Sequence, residues 1–223
     1  MMVQQKLGQL SPVAIFRMGA IKGGCIATIA SLSWLATLQP AAAHHLMGGR
    51  MPSNAWEGFL SGLGHPIIGL DHLAFVVAVG LLSTQYLRGW RLPIFFLASA
   101  MVGTAIHLLK INLPATESAI ALSVITLGII LTLRKRFNFV VLASLFTIAG
   151  LFHGYAYGES IFGAESSPLV AYLVGFTVIQ SAIALFAYRL GSSAHKVPNL
   201  HRAYGLIACL IGAVFLATSL HFQ

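Results

Sequence analysis

Two short stretches carry side chains whose chemistry is out of place in an otherwise apolar chain. The first is Gly64-His65-Pro66-Ile67-Ile68-Gly69-Leu70-Asp71-His72, and the second is Gly150-Leu151-Phe152-His153-Gly154-Tyr155-Ala156-Tyr157-Gly158-Glu159. A neutral imidazole binds transition metals and titrates near neutral pH. Imidazole combined with carboxylate suits a borderline divalent cation such as Ni²⁺, Co²⁺ or Zn²⁺. The cysteines, Cys25 and Cys209, both fall in apolar segments, so no thiolate pair and no disulfide framework is expected. The acids are too scattered for an all-carboxylate cage of the kind Mg²⁺ or Ca²⁺ takes. The candidate ligands are therefore His65, Asp71, His72, His153 and Glu159, with His44 (or His45) and Glu117 as outlying candidates.

Each of these residues has a plainer reading beside the chemical one. If the first stretch is one helix, Pro66 occupies its first turn. His65 then lies at the outer mouth, and His72 is nearly on the same face about 10 Å deeper. Asp71 and His72 are costly inside an apolar span, where ionisable residues usually face the bundle interior and have a task. The alternative is an Asp–His pair that locks helix packing. Gly150, Gly154 and Gly158 recur every fourth residue and expose bare backbone, which reads as close helix packing. His153 lies beside that stripe and is read as part of the site. Glu117 opens a helix, where the dipole alone explains an acid. His107 reads as interfacial, and His195, His201 and His221 as lying outside any site.

The elements that must position these groups are membrane spans. The 223 residues are 57% hydrophobic and 8% charged, with 13 Lys+Arg against 5 Asp+Glu. A soluble domain carries roughly a quarter of its residues as charges. Apolar segments at about 65–87, 92–111, 118–133, 137–157, 168–188 and 203–220 are each near the length that crosses a bilayer. The expected fold is an all-α membrane protein of about six transmembrane helices. Before them, Lys6, Arg17 and Lys22 precede an apolar core ending at Gln39-Pro40-Ala41-Ala42-Ala43. That pattern reads as a secretory signal peptide over 1–43, the alternative being an uncleaved first transmembrane helix, and cleavage is expected to leave His44 at the new amino terminus of a single domain, 44–223.

Basic residues then set the direction. Starting outside, the inner loops hold Arg88 and Arg91, then Arg134, Lys135 and Arg136, then Arg189, Lys196 and Arg202. Arg50 and Lys110 fall on the other side, as do Glu57, Glu117, Glu159 and Glu165. The distribution obeys the positive-inside rule, and clusters spaced by apolar spans argue against nucleic acid as the partner of this basic chain. A division into three plus three helices would make the two halves inverted.

At these residues the chain resembles the HupE/UreJ family of small bacterial membrane proteins. The likeness lies in His65, Asp71 and His72 followed by the run ending Val79-Gly80-Leu81. It continues through Leu113-Pro114 with Glu117 and Ala119-Ile120-Ala121-Leu122-Ser123-Val124, and then Phe152 to Glu159. The chain departs from many members by carrying Tyr155 and Tyr157 where further histidines stand, which removes two potential ligands. The resemblance implies a nickel or cobalt permease that feeds metalloenzyme maturation. From it follow several expectations: a metal ion as cargo (Ni²⁺ or Co²⁺, with copper or Zn²⁺ as alternatives), no permanently bound cofactor, and a bacterial inner membrane or other energy-transducing membrane. The mature amino terminus is expected on the non-cytoplasmic side. The competing class is a non-transporting subunit or assembly factor, partnered by a membrane complex or by further copies of itself. An intramembrane enzyme ranks last, because no nucleophile sits at a convincing position.

Overall fold

The computed structural model describes residues 50–193 and 199–221, all within the unit Pro40–Gln223. The expected signal segment 1–43 and His44 lie outside the described residues. Among the described residues every regular element is helical: α1 (Ala55–Ile68), α2 (Leu70–Ser83), α3 (Leu92–Leu108), α4 (Thr116–Leu133), α5 (Phe139–Glu159), α6 (Ser166–Ser192) and α7 (Leu200–His221). A 3-10 turn, Gly89–Arg91, leads into α3. Five of these helices are long and apolar enough to cross a membrane singly, and α1 with α2 makes a sixth span if the bent pair is counted as one. The chain is a multi-pass, all-helical membrane protein.

The first expected segment, 65–87, is corrected in both extent and shape. The helix begins ten residues earlier, at Ala55, because Asn54 caps it by accepting from the backbone N–H of Glu57 at 2.9 Å. Glu57 reaches back in turn, accepting from the Ser53 N–H and hydroxyl, each at 2.9 Å, and from Arg50 at 3.0 Å. This is a reciprocal cap at the helix start. The helix then stops at Ile68, and α2 leaves it at 79°. Pro66 therefore occupies the last turn, where it cannot donate to the carbonyl of Gly62. Gly69, extended at φ −72° and ψ 99°, is the corner, and its N–H bonds the His65 carbonyl at 3.1 Å.

Glycines decide how the helices pair. Along α1, a side chain at Gly58 would run into Pro168 and one at Gly62 into Tyr172, so α1 lies parallel against the first half of α6. Further on, Gly80 of α2 meets Ala184 and Ala187 of the same helix. The α5 stripe packs parallel on α3: Gly150 meets Phe96 and Ser99, Gly154 meets Ala100, and Gly158 meets Thr104 and His107. Antiparallel α4 and α7 touch through Gly128, Gly205 and Gly212. Small residues that let backbones approach are how membrane helices associate, since lipid tails offer no hydrophobic drive to pack.

The pairing has an internal symmetry. With the bent pair counted as one span, the first span packs on the fifth, the second on the fourth, and the third on the sixth. Exchanging the first three spans with the last three converts the first pairing into the second and leaves the third unchanged. That is the pairing expected of inverted three-helix halves.

Candidate metal site in the helix core

The break at Gly69 brings together what the linear reading had separated. His65 closes α1 and His72 opens α2, so the two imidazoles are not stacked along one helix. Their ring centroids are 5.5 Å apart. From the opposite side α5 supplies His153, whose Nδ1 is 2.8 Å from Nδ1 of His72. Asp71 accepts the backbone N–H of His72 at 2.8 Å and occupies the first turn of α2, where the helix dipole favours a negative charge. His65, Asp71, His72 and His153 are each no more than 2% exposed. The structure brings His65, His72 and His153 together, with Asp71 beside His72, at a helix break and not at the mouth of a straight helix.

The remaining candidates lie apart from the imidazoles. Glu159 is the exposed last residue of α5, and Glu117 is in the first turn of α4. Both stand at the same end of the bundle, where α4 begins and α5 finishes. His107 packs edge-on against Tyr155 at 4.5 Å and Phe162 at 5.6 Å, away from the cluster. Among the described residues no three His, Cys, Asp or Glu side chains are arranged to hold a metal ion together. As it stands, the site offers a close pair of imidazoles with a third one ring away.

One arrangement of protons satisfies both contacts of the Ser123 hydroxyl. The Ser123 hydroxyl donates to the Ile120 carbonyl at 2.7 Å, so towards His153 Nε2, 3.0 Å away, it can only accept. His153 is then protonated at Nε2 and presents a lone pair at Nδ1. In that arrangement His72 donates into the lone pair from its own Nδ1, with one proton between the two Nδ1 atoms.

Five residues that sequence reasoning left out of the site complete the walls. Ser123 holds His153, and Ser160 lies 2.8 Å from Nδ1 of His65. Tyr157, fully buried, presents its ring to His65 at 5.0 Å and to His72 at 4.6 Å. Its hydroxyl donates to Gln180 at 3.1 Å, and the Tyr172 hydroxyl donates to the Tyr157 carbonyl at 3.0 Å. Gln180 was findable: it is the one amide in the apolar run of α6, and a buried polar group in a span needs a partner. An open cleft of about 190 Å³ between α4 and α5, lined by Phe75, Ser123, Leu127, Ile148 and Phe152 among others, reaches the Ser123 end of this chain of bonds.

The family model described as HupE / UreJ protein matches residues 32–215. Protein HupE of Rhizobium leguminosarum bv. viciae is 34% identical over 168 residues, spanning 72% of this chain and 85% of that protein. No solved structure matches the chain. A family match over nearly all the described helices, together with a relative of this identity and coverage, shows that the chain belongs to the HupE/UreJ family.

Proposed function

We propose that this protein carries a divalent transition-metal cation, Ni²⁺ or Co²⁺ first among them, across a bacterial inner membrane. The observation that carries the reading is the 2.8 Å approach of His72 to His153, both buried, across the break in the first span. Two imidazoles turned nitrogen to nitrogen make a seat for a cation, and a borderline divalent metal is the ion imidazole selects. The proton now between the two Nδ1 atoms has to leave when the cation enters, because metal binds only the unprotonated nitrogen. Asp71, one residue away, offsets part of the incoming charge in a setting where unpaired charge is costly.

His65 is placed to pass the ion to this seat, with Glu117 and Glu159 as acids at the approach. The basic loops at the far end assign that end to the cytoplasm, so the imidazoles lie towards the non-cytoplasmic side. No nucleotide-binding loop is present in the sequence, so the driving force is an ion gradient, the membrane potential or downhill flow.

The second reading, a non-transporting subunit or assembly factor, draws on the same geometry: among the described residues no three-ligand group is preformed. Reconstitution separates the two. The purified protein alone in vesicles should admit Ni²⁺ or Co²⁺, detected by a metal-sensitive dye inside. Vesicles that stay at the protein-free rate would favour the subunit.

A further inference from the structure

At the end of the bundle away from the imidazoles, α2, α4 and α6 finish and α3, α5 and α7 begin. We propose that this end is a binding surface for anionic phospholipids, recognised by their phosphates. Arg88, Arg91, Arg134, Lys135 and Arg136 stand exposed on two neighbouring connections, with Arg189 and Arg202 exposed on the adjoining helix ends. None of the chain's acids, at 57, 71, 117, 159 and 165, falls on these connections. Among the described residues the one ion pair is Arg50–Glu57, at the opposite end. The cations here have no internal counter-charge.

The surface is held in shape. The Tyr86 hydroxyl donates to the Phe137 carbonyl, and the Gln85 amide donates to the Lys135 carbonyl at 3.4 Å, tying the first connection to the second. Thr84 and His201 Nε2, 3.3 Å apart, tie in the third. Arg134 caps α4 in the left-handed region at φ 53°, a conformation that favours glycine. A cation is kept where the backbone would prefer no side chain. Fixing the loops beforehand removes much of the ordering cost of gathering several cations around one phosphate.

Lipid is favoured over an acidic protein by what stands between the cations. Leu87 is wholly exposed and Trp90 about half exposed, and the Arg91 guanidinium lies 5.2 Å from the centre of the Trp90 ring. Apolar and cationic groups alternate within one short connection at the mouth of a membrane span. The boundary between headgroups and acyl chains accommodates both kinds of group, and aromatic side chains concentrate there.

The test uses the full chain, purified in detergent and examined by native mass spectrometry with phosphatidylglycerol or phosphatidylcholine at equal concentration. Phosphatidylglycerol adducts should survive and phosphatidylcholine adducts should not. The triple variant Arg134→Gln/Lys135→Gln/Arg136→Gln should bind phosphatidylglycerol at least about tenfold more weakly. Arg50→Gln, at the other end, should bind like the wild type. If the triple variant fails to fold, Arg88→Gln/Arg91→Gln provides the same readout. Glycerol 3-phosphate should not displace the lipid, because it leaves Leu87 and Trp90 uncovered. Equal retention of the two lipids, wild-type adducts in both multiple variants, or an equal loss in Arg50→Gln would overturn the proposal. So would an acidic peptide that binds this end and is not displaced by phosphatidylglycerol.

Discussion

His72 and His153, 81 positions apart in sequence, meet Nδ1 to Nδ1 at 2.8 Å. They come from the first and fourth spans, the two that correspond if the halves of the chain are inverted copies. The contact therefore joins two spans that exchange places in this pattern of pairing. In transporters built from inverted repeats, the substrate site lies at the repeat interface and is formed by interrupted helices. Here the interrupted helix is the α1–α2 pair, and the interruption is what frees the first turn of α2 to present Asp71 and His72.

From that contact follows the first prediction. His72→Ala and Asp71→Asn should each abolish metal accumulation in cells while leaving membrane insertion intact. Neither change adds a charge, and a neutral side chain is cheaper to bury in a span than an ionised one. Uptake of ⁶³Ni²⁺ alongside immunodetection in the membrane fraction measures both quantities. Normal uptake by both variants would make the pair a packing feature.

Ser123 provides a finer test. By accepting from Nε2 of His153, it sets the ring so that Nδ1 faces His72. Partners of this kind contribute about 10- to 100-fold in affinity when the imidazole they orient is a ligand. Ser123→Ala should therefore weaken metal binding by about tenfold, measured by titration calorimetry, with little change in folded yield. Ser123→Thr, which keeps the hydroxyl, should restore most of it.

Acid should inhibit uptake. A protonated imidazole has no lone pair for metal, so occupancy is favoured at higher pH and lost as pH falls through the histidine range. The expected profile for vesicles loaded with dye is a rate that falls over the interval in which the outside is acidified from neutrality. A rate that is flat or rising across that interval would remove the imidazoles from the path of the ion.

Much of this was legible in the sequence, for reasons that differ from residue to residue. Span number follows from the length of apolar runs, and the basic loops stand out because spans of either half hold so few charges. Asp71, His72 and His153 were visible because ionisable groups are rare at such positions. The corner at Gly69 was not, since Pro66-Ile67-Ile68-Gly69-Leu70 is as apolar as an unbroken helix and proline is as familiar at a helix start as near an end. Nor was the first half of that span: Ala55–Gly64 holds three glycines in ten residues, and its helix packs closely against α6 at Gly58 and Gly62. Tyr157 read as a lost ligand, whereas its ring packs against both His65 and His72. Composition cannot show which residues a tertiary contact will bring within reach.

The amino terminus lends itself to a direct measurement. Ala41-x-Ala43 after the short apolar core predicts a mature chain that begins at His44. Its α-amino group and imidazole together make a bidentate handle for metal, and with His45, Met47 and Met51 nearby copper is the alternative cargo to test. Intact mass of the purified protein decides the matter. A chain that retains Met1 would remove His44 from the candidate ligands.

Gly154 and His153 are adjacent on α5 and should fail in different ways. A side chain at Gly154 would run into the backbone of Ala100, and the Gly154 carbonyl accepts from the Thr104 hydroxyl at 2.7 Å. Gly154→Leu must therefore push α5 away from α3 and break that bond, lowering folded yield and melting temperature in detergent. His153 points towards His72, Ser123 and Phe75, and meets α3 only through the Phe96 ring at 5.9 Å, apart from the backbone contact at Gly154. Replacing it with alanine removes an imidazole and leaves a void, a loss of about 1–3 kcal/mol from the unmet partners. The helix pairing is untouched, so the protein should fold and bind metal weakly or not at all. Because depth and surroundings are nearly matched, the comparison separates packing from chemistry better than two distant sites could. Folded yield and bound metal are measured for both variants. If His153→Ala unfolds the protein, or binds Ni²⁺ with wild-type affinity, His153 belongs to the packing and the cation's seat lies elsewhere.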